Sequence, residues 1–142
     1  MISSIKNTTI SSKEACTLLQ QLTSAEILSG DHFSSIIKSL HPNQEIFVYK
    51  KNDHLVGMIS VFIEQKIIHG GKCVAHIEDV VVDSHFRRQG IAFELVNHVL
   101  QYAENNNCYK VLLNCNDEVK PFYEKCHFKH KTNGMAYYLL SE

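Results

Sequence analysis

The chain has 142 residues, 44% hydrophobic and 20% charged, with 6 Gly and 2 Pro: room for one domain, residues 1–142, around one core, and none for a second domain or a long disordered tail. Its formal net charge of -1 gives no general attraction to nucleic acid or to an anionic membrane, so any anion site has to be local. No apolar run approaches the roughly 20 residues of a membrane span, and the N-terminal MISSIKNTTISS lacks a signal-peptide core, which points to a cytoplasmic protein.

Residues 11–29 place Ala15, Leu18, Leu19 and Leu22 at helical spacing behind a Ser cap with Glu14 close by. A second, short helix is predicted over 31–40, opening on Asp31 and stopped by His41-Pro42. EIFVYKKNDHLVGMISVFIEQ then reads as two strands around the turn Lys51-Asn52-Asp53, a β-hairpin. A Gly70-Gly71 turn leads into CVAHIEDVVVD, which reads as a central strand because Val80, Val81 and Val82 run without alternation. The segment 90–105 carries Leu95, Val96, Val99, Leu100 and Ala103 on one helical face. KVLLNC at 110–115 is a short buried strand, VKPFYEKC at 119–126 a short helix with Pro121 in its first turn, and GMAYYLL at 134–140 a closing strand. Hairpin first and β-α-β crossover later give a mixed sheet covered by helices.

Cys16, Cys73, Cys108, Cys115 and Cys126 are odd in number and form no C-x-x-C clip, so they read as reduced, packed thiols rather than a disulfide framework or a zinc site. The nine histidines share no recognisable ligand spacing either, and no metal is expected.

The stretch HFRRQGIAFEL, after the apolar DVVVD, is the first with chemistry in it. A helix N-terminus presents unpaired N–H groups and about half a positive charge, which suits phosphate. Gly90 lets a ligand approach the backbone, and Arg87, Arg88 and Gln89 add donors. An ordinary strand-to-helix turn with exposed arginines is the alternative. The lysine and hydroxyl of a nucleoside-triphosphate loop and the three glycines of a dinucleotide turn are both absent.

R-R-Q-G-I-A, after a strand and opening a helix, resembles the R/Q-x-x-G-x-G/A signature of the GCN5-related N-acetyltransferases. EQKIIHGGKCVAHIEDVVV, CYK at 108–110, FYEKCHF at 122–128 and Leu22-Thr23 resemble, in the same order, motifs of its glucosamine-6-phosphate N-acetyltransferase branch. The likeness runs from about residue 14 to the C-terminus. It implies an α+β fold with a central mixed, mostly antiparallel β-sheet flanked by helices. It also implies acetyl-CoA as acetyl donor and an amino-sugar phosphate as acceptor.

By that resemblance the turn of Arg87, Arg88, Gln89, Gly90, Ile91, Ala92 and Phe93 grips the pyrophosphate of coenzyme A. Val80, Val81 and Val82 form a splayed strand whose free amides hold the pantetheine arm and the thioester oxygen; Asn116 and Lys125 are further cofactor contacts. Tyr123 meets the sulfur, where a hydroxyl with a pKa near 10 can donate to a departing thiolate. Without the resemblance Tyr123 would read as a core aromatic.

Glu78 and Asp79 are adjacent acids inside an apolar strand. Alternation sends them to opposite faces, so at least one is expected to be covered and partnered. The resemblance puts both at the amino-sugar site, Asp79 nearest the amine, with Thr23, Tyr109 and Lys110 as further substrate contacts.

Two positions depart from the branch. Asn114 stands where an Asp is typical; it cannot ionise, but its amide or carbonyl can orient an amine. The C-terminal arginine that pairs with the sugar phosphate is missing; Tyr138 falls at about its place, and Lys129, His130 or Lys131 are substitutes of lower directionality. Related enzymes are homodimers that share the C-terminal strand, and an exposed apolar MAYYLL would otherwise be a liability. Acetylation of another amine, or acyl-CoA sensing without catalysis, are the competing readings.

Overall fold

The computed structural model describes residues 1–140. Five strands form one sheet in the order β1-β2-β3-β4-β5: β1 Ile2–Ser4, β2 Gln44–Lys51, β3 His54–Gln65, β4 Cys73–Val82 and β5 Cys108–Leu112. Every neighbouring pair is antiparallel except β4 and β5, which are parallel. The helices are α1 Ser12–Leu19, α2 Gly30–Ser39, α3 Ile68–Gly71, α4 Ile91–Asn105 and α5 Lys120–Lys125. The α4 crossover is what allows β5 to run parallel to β4.

The hairpin turns where expected. Asn52 and Asp53 both have positive φ, 51° and 63°, as a tight two-residue connection demands, and these residue types tolerate it. Strands β2, β3 and β4 bury Phe47, Ile59, Val61, Ala75, Ile77 and Val82 against Ile91, Leu95, Val96 and Val99 of α4. The opposite face packs Val48, Leu55, Met58 and Val81 on Ile5 and on Ala15 and Leu18 of α1. Gly57 permits the close seating of α4, because a Cβ there would lie 3.0 Å from Leu95 Cδ1 and 3.2 Å from Ile91 Cγ2.

The structure departs from expectation at five points. The helix predicted over 11–29 keeps its capping box, with Ser11 Oγ accepting from Glu14 N, but ends at Leu19. A loop follows, in which Leu22 is exposed, and Ser29 rather than Asp31 caps α2. Strand β1, too short to show a pattern, adds to the hairpin edge through Ile2↔Tyr49. Strand β5 is 108–112, ending before Asn114. Residues 134–140 form no strand: Met135, Tyr137, Leu139 and Leu140 are exposed and no ladder reaches them among the described residues. An apolar run marks a segment able to pair but supplies no partner.

Candidate active site

Strand β4 pairs with β3 along its whole length, from Gly57↔Val82 to Gln65↔Cys73. With β5 it pairs only from Cys73↔Cys108 to His76↔Leu112. Beyond His76 the two strands separate into a wedge, and Ile77–Val82 has a free backbone edge on that side. Unpaired N–H and C=O groups on an interior strand invite a ligand to take the missing strand's place.

The wedge holds a bulge. Met58 pairs with Val81 and Ser60 with Glu78, so Ile59 alone faces both Asp79 and Val80. Asp79 absorbs the extra residue with φ of 50°. The bulge also breaks alternation: Ala75 and Ile77 face α4 before it, Val80 and Val82 after it, and Val81 joins the α1 face. The expectation that Glu78 or Asp79 is covered and partnered is therefore wrong. Both are exposed, and neither has an ion pair or side-chain hydrogen bond among the described residues. They lie at the uncovered part of the sheet, with the inserted residue turning the chain between them.

At the far end of β4, Asp83 caps a helical turn by accepting from His85 N at 2.9 Å, and this hydrogen bond holds its carboxyl below the usual range. Arg87 Nε donates to Val82 O at 3.2 Å, fixing the guanidinium against the strand end. Arg88 and Gly90 both take left-handed φ, 64° and 80°, and Gly90 is the N-cap of α4 without a side-chain cap. The first helical hydrogen bond is Glu94 N to Gly90 O, so the amides of Ile91, Ala92 and Phe93 are free. A Cβ on Gly90 would meet nothing within 4 Å, so the space over these amides is open. An anion fits there on geometry. The Ile91 side chain is in the core and offers only its backbone, whereas Phe93 is exposed. Gln89 Oε1 accepts from Lys51 Nζ at 2.7 Å, and Lys51 lies 5.9 Å from the centre of the Phe86 ring. Lys51 carries no local signal in the sequence; only the hairpin brings its tip to this turn.

Tyr123 of α5 is 9% exposed, with the rings of Phe122 and Phe128 edge-on at 5.0 and 5.9 Å. Burial pushes its hydroxyl up to about 12, helped by the neighbouring Cys115 and Cys126 thiols. It is thus a neutral phenol, a hydrogen donor, near neutral pH. Asn116 lies in the turn before α5, its Oδ1 accepting from Val119 N at 3.2 Å, which leaves its side-chain N–H groups free to donate to a ligand. Lys125 is exposed in the last turn. Asn114 is exposed, and its Oδ1 lies 3.1 Å from where a Cβ on Gly134 would sit, so the C-terminal segment crosses it.

Some of the predicted residues lie apart. Lys110 pairs with Val74, four residues before Glu78, which is about 13 Å along the strand. Its Nζ stays 5.6 Å from the Tyr109 ring, which packs on His69 at 4.1 Å. Tyr109 and Lys110 are thus at the closed end of the wedge, out of reach of Glu78 and Asp79 within one chain. Thr23 is in the exposed loop after α1. Gln21 Oε1 accepts from Ser84 N at 2.9 Å and ties that loop to the end of β4. Sequence reasoning did not single out Gln21, because its partner is remote in the chain. Tyr138 is 64% exposed.

The sequence model of the Acetyltransferase (GNAT) family matches residues 14–128. The chain is 35% identical over 115 residues to a glucosamine 6-phosphate N-acetyltransferase of Trypanosoma brucei brucei, covering 79% of this chain and 78% of that protein. It is 34% identical over 126 residues to the Arabidopsis thaliana protein of the same name, covering 85% of each. The crystal structure of glucosamine-6-phosphate N-acetyltransferase from Arabidopsis thaliana superposes with a TM-score of 0.83 at 29% identity, over 98% of this chain and 99% of that one. A Trypanosoma brucei acetyltransferase gives a TM-score of 0.84, also at 29% identity and over 98% and 99%. With the family match spanning most of the chain and the fold shared over nearly its whole length, the chain belongs to the acetyltransferase (GNAT) family.

Proposed function

We propose that this chain, as one domain, transfers the acetyl group of acetyl-CoA to the amine of D-glucosamine 6-phosphate. The products are N-acetylglucosamine 6-phosphate and CoA, on a route to UDP-N-acetylglucosamine. The observation that carries the proposal is the wedge with Asp79 at its bulge, in a chain 31–35% identical to several proteins bearing that activity in their names. The nearest alternative, acetylation of another amine, uses the same donor site.

Each step falls to a group of this chain. The free amides of Ile91, Ala92 and Phe93, with Arg87 and Arg88 at the rim, hold the pyrophosphate. The unpaired edge from Val80 to Val82 takes the pantetheine arm as a strand would, and its N–H groups are donors for the oxygen that gains charge when the amine attacks. Glu78 and Asp79 receive the amino sugar, and Asn114 orients the amine without accepting its proton. The Tyr123 hydroxyl donates a hydrogen bond to the departing thiolate, and the proton that the thiol finally carries is the one the attacking amine loses, so the phenol ends the turnover neutral. Transfer is direct: burial pushes the Cys126 thiol up, which opposes its use as a nucleophile.

The separation of Lys110 from Glu78 supports a site completed by a second copy of the chain, with the exposed apolar 134–140 as the shared segment. Such a homodimer brings Tyr109, Lys110 and Tyr138 of one copy to the acids of the other. The five free cysteines suit a reducing, cytoplasmic setting. Mass spectrometry of the protein incubated with acetyl-CoA and glucosamine 6-phosphate tests the assignment. An acetylated sugar phosphate with equimolar CoA is expected; tight CoA binding with no product on any amine would replace the enzyme with a sensor.

A further inference from the structure

Cys73 opens β4 and Cys108 opens β5, 35 positions apart in the chain but directly opposed in the parallel ladder. Cys73 N donates to Asn107 O at 3.0 Å, closing the sheet at this point. Both side chains pack against the same cluster beside α4, so both sulfurs are on one face of the sheet. Opposed Cα atoms of adjacent strands lie about 5 Å apart, inside the range a disulfide spans. Neither thiol is fully buried: Cys73 Sγ donates to Gln65 Oε1 at 3.4 Å and Cys108 Sγ to Asn106 O at 3.9 Å, both near solvent. Each acceptor is weak for sulfur and is released by a single χ1 rotation.

We propose that Cys73 and Cys108 form a dithiol site that peroxides or low-molecular-weight disulfides close into a cross-strand disulfide. With hydrogen peroxide, one thiolate attacks a peroxide oxygen, the O–O bond breaks and hydroxide leaves, giving a sulfenic acid. The second thiol, losing its proton, attacks that sulfur; the S–O bond breaks and the oxygen leaves as water. The sulfur pair gives up two electrons, and the peroxide becomes two waters. Burial and the neighbouring Cys73 push the Cys108 thiol up, so closure is slow near neutral pH and quickens as pH rises.

The disulfide sits at the closed end of the wedge. It staples β4 to β5 across the segment that contains the bulge, the R-R-Q-G-I-A turn and α4, and it leaves the open end untouched. Closing a loop of about 35 residues raises the melting temperature by on the order of 10 °C. This inference does not depend on which acceptor the enzyme uses.

The test treats the full chain with hydrogen peroxide or glutathione disulfide and maps the cysteine peptides under non-reducing conditions. The expected result is a 73–108 link in monomeric chains, a raised melting temperature, and reversal of both by dithiothreitol. Cys73→Ser and Cys108→Ser each abolish the link and the shift while leaving reduced-state turnover unchanged. A shift that persists in both variants, or oxidation that first consumes the exposed Cys115 and leaves 73 and 108 as free thiols, overturns the proposal.

Discussion

Ile59 faces two residues, Asp79 and Val80, across the β3–β4 ladder. That one extra residue changes which side of the sheet everything after it occupies, and places Val80 and Val82 with Ile77 on the α4 face. Asp79 bears the backbone strain at φ of 50°. Asp79→Gly should therefore keep or raise stability, by up to about 1 kcal/mol in a denaturant melt. In the same variant kcat/KM should fall by about a hundredfold or more, because the acid proposed to meet the amine is gone. Retained activity in a folded Asp79→Gly protein would give the residue a structural role only.

Tyr123→Phe keeps the ring that packs on Phe122 and Phe128 and removes the donor. Turnover should drop about 10- to 100-fold, with CoA affinity by calorimetry within about twofold of the unmodified protein. With the phenol pushed up to about 12, the donor is protonated at all working pH values and is lost only as pH rises through that value. An alkaline limb from Tyr123 is thus absent below about pH 11, and the acidic limb of the rate follows protonation of the acceptor amine.

Gly90 and Gly57 should respond differently to alanine. At Gly90 the φ of 80° makes alanine costly by about 1 kcal/mol, and the methyl group fills open space above the free amides. KM for acetyl-CoA should rise about tenfold with little change in kcat. At Gly57 the methyl meets Leu95 and Ile91, so Gly57→Ala should cost about 1–3 kcal/mol of stability while KM is spared. Paired thermal melts and steady-state kinetics separate the two.

His98 of α4 packs edge-on against Phe47 at 4.5 Å, and burial lowers its pKa. The unfolded chain therefore binds a proton that the folded chain refuses. The stability from the neutral ring is complete above about pH 6.5 and is lost as pH falls through the lowered folded value. Denaturant melts across that range should show a decline that His98→Phe flattens.

Much of this was legible in the sequence. The hairpin followed from Lys51-Asn52-Asp53, and α4 from the spacing of Leu95, Val96, Val99 and Ala103, because those signals are local. The R-R-Q-G-I-A turn was legible for the same reason, and its uncapped amides follow from Gly90. The exposure of Glu78 and Asp79 was not, since a bulge is set by register against Ile59, a residue about 20 positions away. Lys51 at Gln89 and Gln21 at Ser84 were invisible on the same ground. The final apolar segment read as a strand because its pattern describes what it can pair with, not whether a partner is within the chain.

Steady-state thiol release from acetyl-CoA, with glucosamine 6-phosphate and glucosamine as separate acceptors, decides whether the wedge serves an amino-sugar phosphate. The expected kcat/KM favours the phosphorylated sugar by about a hundredfold or more, as charge-assisted phosphate contacts require. Equal values for the two sugars would contradict the proposed acceptor.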